Sequence, residues 1–90
     1  MASDVKTTFL TASGNVFAGR TRVKAVHYHS NAVTGELILR NGGASAEIKL
    51  RMGFHQNTDD SIYIPDEGIL FDSGCYAELT DMDNITVFFN

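Results

Sequence analysis

Apolar and polar positions along this chain alternate with a period of two, and no stretch of useful length carries the 3.6-residue period of a helix. The clearest case is a single apolar face made by Ile69, Phe71, Cys75, Ala77, Leu79, Ile85, Val87 and Phe89, punctuated by Pro65, Gly68 and Gly74 where turns are needed. Glu36 to Arg40 puts Leu37 and Leu39 on one side. Glu47 to Met52 puts Ile48, Leu50 and Met52 inward against Glu47, Lys49 and Arg51, so with Asn41, Gly42 and Gly43 between them these segments predict a hairpin. Arg22 to His29 also alternates, with Val23, Ala25, His27 and His29 on one side and Arg22, Lys24, Val26 and Tyr28 on the other. Either side fits an inward face.

Val5 to Thr11 predicts a first strand, followed by turn material at Ser13 to Asn15 and at Gly19. Asn31 to Gly35 reads as a hairpin-like connection, Gly53 to Asp60 as a polar loop, and Ile62 to Ile64 as a further extended segment. About eight short strands result, the pattern of an all-β, antiparallel β-sandwich of jelly-roll type. One domain is expected over residues 1–90, with residues 1–15 as a lead segment. The Asn41 to Gly43 turn and the Pro65 to Gly68 turn are expected at sheet ends.

Ninety residues bury about 60% of the surface of the unfolded chain, which leaves room for one modest core and none for a deep catalytic pocket. The single cysteine, Cys75, has no disulfide partner within the chain and falls on the apolar face, so it reads as a core residue. No apolar run approaches the roughly 18 residues of a membrane span, and the first residues lack a signal-peptide layout. The expectation is a soluble, unsecreted product with no membrane partner.

Charge is distributed unevenly. All seven Lys and Arg residues lie within residues 1–51, which carry a net charge of +4, while residues 52–90 hold eight acids and no base, a net charge of −8. Such opposition is met either by pairing across neighbouring strands or by a basic patch on one subunit facing an acidic patch on the next. Arg20, Arg22 and Lys24 cluster near Tyr28, but the net charge of −4 opposes a phosphate backbone, and no nucleic-acid partner is expected.

Candidate chemistry is sparse. His27 and His29, two apart on a strand, point their imidazoles to one face, a spacing used by metal sites, and His55, Asp59 and Asp60 are the residues that would have to approach them. Nothing in the spacing fixes a third ligand, so neither a metal nor a cofactor is expected. A cupin pattern fails: Glu36 lies too far beyond His29, and no His follows Gly68. Ser13 and Ser73 precede glycines but lack the flanks of a nucleophile elbow, and Asp66 and Glu67, being adjacent, diverge. No catalytic residue is predicted. Phe9, Phe17, Phe54, Phe88 and Phe89 are more than a small core needs, which makes those left over candidates for a subunit contact, and the interface is expected at Phe54 with the charged residues Arg20, Arg22, Lys24, Asp66 and Glu67.

The order of these features resembles small virion structural proteins of tailed phages, marine and cyanobacterial ones in particular. The likeness is carried by the Arg-rich strand Thr21–Tyr28, the hairpin Thr34–Gly42, Ile48–Arg51, the run Ile62–Phe71, Gly74–Tyr76 and the strand Ile85–Phe89, and covers residues 16–90. It implies a β-sandwich or jelly roll that assembles as a homo-oligomer, made in the host cytoplasm and placed in the virion as a capsid-decoration, knob or tail-associated subunit beside a capsid or tail protein. It carries over no catalytic residue. The competing expectation is a small intracellular ligand- or metal-binding β module using His27 and His29.

Overall fold

The computed structural model describes residues 5–30, 34–55 and 58–90, with side chains at all of these except Thr34, Phe54, His55, Thr58 and Asp59. Nine strands form: β1 (Lys6–Leu10), β2 (Gly14–Phe17), β3 (Thr21–Ser30), β4 (Thr34–Asn41), β5 (Glu47–His55), β6 (Thr58–Tyr63), β7 (Ile69–Phe71), β8 (Cys75–Thr80) and β9 (Asn84–Phe89). No helix occurs among the described residues. Sheet A has the order β1-β9-β3-β6, with β7 also on β3, and sheet B has the order β2-β8-β4-β5. All pairings are antiparallel.

β6 and β7 act as one interrupted strand. Both run along β3, β6 opposite Ala25 to Ser30 and β7 opposite Thr21 to Val23. Counted so, the chain pairs first strand with last, second with second-last, third with the β6/β7 strand, and β4 with β5. This nested hairpin is rolled up so that β9 also meets β3 and β8 also meets β4. Such an order is that of an eight-stranded jelly roll. The sandwich predicted from the alternation is therefore present, with one of its eight strands split.

One core joins the two sheets. Phe71, Leu37, Leu39, Ile85, Val23, Val26, Val87 and Cys75 are almost fully buried, with Val16, Tyr28, Ala77 and Phe89 around them. Burying each large aliphatic or aromatic side chain contributes about 1.5–3 kcal/mol, so this cluster is the main source of stability. The predicted apolar face is intact: Phe71, Cys75, Ala77, Ile85, Val87 and Phe89 lie within the core, and Ile69 and Leu79 pack against it. Ile48, expected inward, stays 46% exposed beside the turn of the β4–β5 hairpin.

Neither side of Arg22 to His29 is wholly inward. Val23 pairs with Phe89 and Ala25 with Phe88, so Lys24 is an extra residue on β3, a β-bulge. The bulge reverses the phase: Thr21 and Val23 face the core before it, Val26, Tyr28 and Ser30 after it, which turns Ala25, His27 and His29 outward.

Four local expectations are corrected. Gly14 to Phe17 is strand and not turn, because pairing with Ala77, Tyr76 and Cys75 on β8 overrides the weak local preference of Gly and Asn. Residues 53–55 and 58–60 extend β5 and β6, drawn into strand by partners on β4 and β3. Asn31 to Gly35 is no hairpin: β3 and β4 lie in different sheets, Gly35 is within β4, and residues 31–33 lie outside the described residues. The Pro65 to Gly68 turn does not sit at a sheet end. It leaves the middle of an edge, since Tyr63 is opposite Ala25 and Ile69 opposite Val23, and only Lys24 faces the excursion, accepting from the Ile64 N–H at 2.9 Å.

Candidate functional site

The bulge decides what the outer face of sheet A presents. On β3 the outward residues are Arg22 and Lys24, then Ala25, His27 and His29. β9 sets Phe88 beside Ala25 and Thr86 beside His27, β6 sets Tyr63 and Ser61 in the same two rows, and β1 adds Thr7 and Phe9. Ala25 is small, and its neighbours in the row are large. A shallow groove of about 350 Å³ therefore opens there, lined by Val5, Lys24, Ala25, His27, Ser61, Tyr63 and Phe88. Apolar surface stands in water here: at the rim Tyr63 is 81% exposed and Val5 58%, and Phe9, farther along β1, is 60% exposed.

A second depression adjoins the first through Lys24, which lines both. Arg20, Thr21, Arg22, Lys24, Glu67 and Asn90 surround it, again with about 350 Å³. Arg22 and Lys24 share a side as residues two apart on an extended strand do, and Arg20 joins them from the bend just before β3. None of the three makes an ion pair among the described residues. Thr21 is committed elsewhere, its Oγ1 donating to the Asn90 carbonyl at 3.0 Å. Glu67 reaches this depression because Asp66 (φ 58°) and Gly68 (φ 82°) take left-handed backbone and the Gly68 N–H donates to the Pro65 carbonyl at 3.1 Å, which folds the excursion back over β3.

Of the charged residues proposed for an interface, Arg20, Arg22, Lys24 and Glu67 thus share one depression, with Asp66 beside Glu67. The side chain of Phe54 lies outside the described residues. Acid and base do not confront each other as two separate patches at this end, since Glu67 already stands among the cations. Elsewhere the charges pair across strands: Arg40 Nε donates to Glu78 Oε1 at 2.9 Å between β4 and β8, and Arg51 donates to Glu36 between β5 and β4. Only the first of these joins the basic and acidic halves of the sequence. The opposite end of β3 is acidic, with Asp83 Oδ2 at 3.4 Å from His29 Nε2 and Asp81 in the same β8–β9 turn.

His27 and His29 do share the outer face, as their spacing requires, but each has other company. His27 Nδ1 is hydrogen-bonded with Ser61 Oγ at 2.7 Å, and His29 faces Asp83. Among the described residues no three His, Cys, Asp or Glu side chains gather in a geometry that would hold a metal ion. The side chains of His55 and Asp59 lie outside the described residues. Cys75 is in the core as expected, and burial pushes its thiol from an ordinary value of 9.0 up to about 12. Tyr28 is also raised, by burial first and then by the negative charge of Asp60.

Of the groove residues, Phe88 is among the surplus phenylalanines that the sequence offers for a subunit contact, while Val5, Ala25 and Tyr63 did not stand out. One signal was there to use: in Ile62-Tyr63-Ile64 both flanking isoleucines pack against the core, so the tyrosine between them must point outward. No family model, no curated protein and no solved structure matches the chain.

Proposed function

We propose that this protein is a non-enzymatic virion structural subunit of a tailed phage, acting by binding copies of itself and a capsid or tail protein. The observation that carries the reading is the outer face of sheet A, where Tyr63 and Val5 stand exposed around an apolar groove, Phe9 stands exposed farther along β1, and the adjoining cluster of cations makes no ion pair among the described residues. Large exposed aromatic side chains rimmed by charge are the composition of a protein contact surface. Further support comes from the jelly-roll order, an architecture that recurs in capsid domains, and from the resemblance carried by Thr21–Tyr28, Ile62–Phe71 and Ile85–Phe89. A fold alone assigns no function, so the weight rests on the surface.

Quantitative mass spectrometry of purified particles from the source virus tests the proposal. The polypeptide is expected at an abundance in fixed ratio to a shell or tail protein. Its absence from intact particles, with abundant protein in infected cells, would overturn the virion assignment.

A further inference from the structure

We infer that the outer face of sheet A holds an extended segment of a partner protein in which one large apolar side chain and one carboxylate stand two residues apart. The apolar side chain fills the groove over Ala25, and the carboxylate lies among Arg20, Arg22 and Lys24. The inference rests on the protein-binding reading above and names the chemistry of the partner's segment. The two hollows differ in kind: Ala25 floors the first between Tyr63 and Phe88, whereas only polar and charged residues line the second. Lys24 belongs to both, so their occupants are neighbours. It is half-buried, its Cδ 3.4 Å from the place of a Cβ on Gly68, so its stem lies against the Pro65 to Gly68 excursion. In an extended chain, side chains two residues apart share a side, and that spacing suits hollows that meet at one residue. About 350 Å³ each is the small end of the roughly 300–1,000 Å³ range of ligand pockets, room for one side chain apiece.

Charge selects the class of partner. Arg20, Arg22 and Lys24 surround a single carboxylate, Glu67, and pair neither with it nor with any other described residue, which leaves the hollow a net charge of +2. Asp66, next to Glu67, does not line it. An anionic group placed there relieves the mutual repulsion of the cations, and such complementarity fixes register. A single-stranded nucleic acid also offers anions and apolar rings, but its phosphates recur with every nucleotide. The face does not suit such a run, since Asp83 stands beside His29 at the far end of β3 and the chain as a whole carries a net charge of −4. A protein segment can set a lone carboxylate beside an apolar side chain and place no further charge beyond it.

Titration of the isotope-labelled full chain, followed by amide NMR shifts, reads the outcome. The probe is the end-blocked peptide Gly-Ser-Phe-Ser-Glu-Ser-Gly, and the two controls carry Ser in place of Phe or Lys in place of Glu. Saturable shifts at Arg22, Lys24, Ala25, His27 and Tyr63 are expected by millimolar peptide, with affinity about 10-fold above either control, because each control lacks one of the two contacts. Lys24→Glu is expected to weaken binding about 10-fold, and Glu67→Gln, which removes the carboxylate that competes with the ligand's own, to tighten it about 3-fold, on the scale of exposed charge pairs. A gain of affinity is a result that a folding defect does not produce, so Glu67→Gln decides if Lys24→Glu fails to fold. No saturable shifts, shifts confined to other surfaces, or a Glu67→Gln variant that binds no tighter than wild type would overturn the inference. An oligothymidylate that binds the same amides more tightly than the peptide would overturn it in favour of nucleic acid. Self-association that Tyr63→Ser abolishes, in a chain that ignores the peptide, would overturn it in favour of a second copy. Peptide binding by a protein missing from particles would sink the virion assignment alone, and a particle protein that ignores the peptide would sink only this inference.

Discussion

Gly68 is the residue on which the edge of sheet A turns. Its φ of 82° lies in the left-handed region, and a Cβ built on it would stand 2.2 Å from the Val23 carbonyl oxygen, a distance that no side chain can occupy. Gly68→Ala is therefore expected to lower stability by roughly 2–4 kcal/mol, through backbone strain and displacement of β3 together, as measured by urea denaturation. An unchanged midpoint would show that the excursion tolerates a different path. Cys75 gives a prediction of opposite kind. With its thiol held protonated up to about 12, it should resist alkylation in the native protein at pH 8 and react only as the chain unfolds. The folded state binds that proton more tightly than the unfolded state, so the stability contributed by this thiol is fully present below about pH 9 and is lost as pH rises from there toward 12. Tyr28, also raised, adds a fall of the same sign at high pH. Urea midpoints at pH 7, 9 and 10.5 check the direction, and rapid labelling of native Cys75 would contradict its burial.

At the scale of elements, the β-bulge at Lys24 is the decisive irregularity. Strict alternation leaves the face of β3 undecided, and the structure resolves it by using both phases in succession. Val26→Ala should then cost about 2 kcal/mol for a lost core contact and the space left behind, whereas His27→Ala should cost less than about 0.5 kcal/mol. Equal effects would mean that the phase change is misplaced. The same strand explains what was legible in the sequence. β7, β8 and β9 keep one phase from end to end, so Phe71, Cys75, Ala77, Ile85, Val87 and Phe89 could be assigned to the core by counting alone. β3 could not, because the adjacent apolar pair Ala25 and Val26 satisfies either phase, and only partners on β9 reveal that Lys24 is extra. β2 was missed for a related reason: four residues beginning Gly-Asn become strand only when β8 supplies the hydrogen bonds.

For the molecule as a whole, the cationic cluster was legible, and of the groove beside it only Phe88 was, as one of the surplus phenylalanines. Arg22 and Lys24 are neighbours by spacing on β3, and Arg20 directly precedes that strand. Phe88 and Tyr63 flank Ala25 only because β9 and β6 lie on either side of β3, and Val5 reaches the same groove only from β1 beyond β9. Charge opposition between the two halves of the sequence survives in space in part, as Arg22 and Lys24 at one end of β3 and Asp83 at the other, and is elsewhere met by pairs such as Arg40 with Glu78. The nested pairing described above has a kinetic meaning too. β4 and β5 close the shortest loop, β1 and β9 the longest, and the entropy of closing a loop grows with its length. Each inner pair that forms shortens the effective loop for the pair outside it, so the chain is expected to zip from the Asn41 to Glu47 turn outward and to fold slowly, as sheets with distant partners do. Native-state hydrogen exchange should find the amides of β4 and β8 among the last to open. β1, held by β9 alone among the strands of sheet A, should be released first, and it carries Phe9 and its neighbour Val5 with it. The surface offered to a partner would then be the last part of the molecule to be completed.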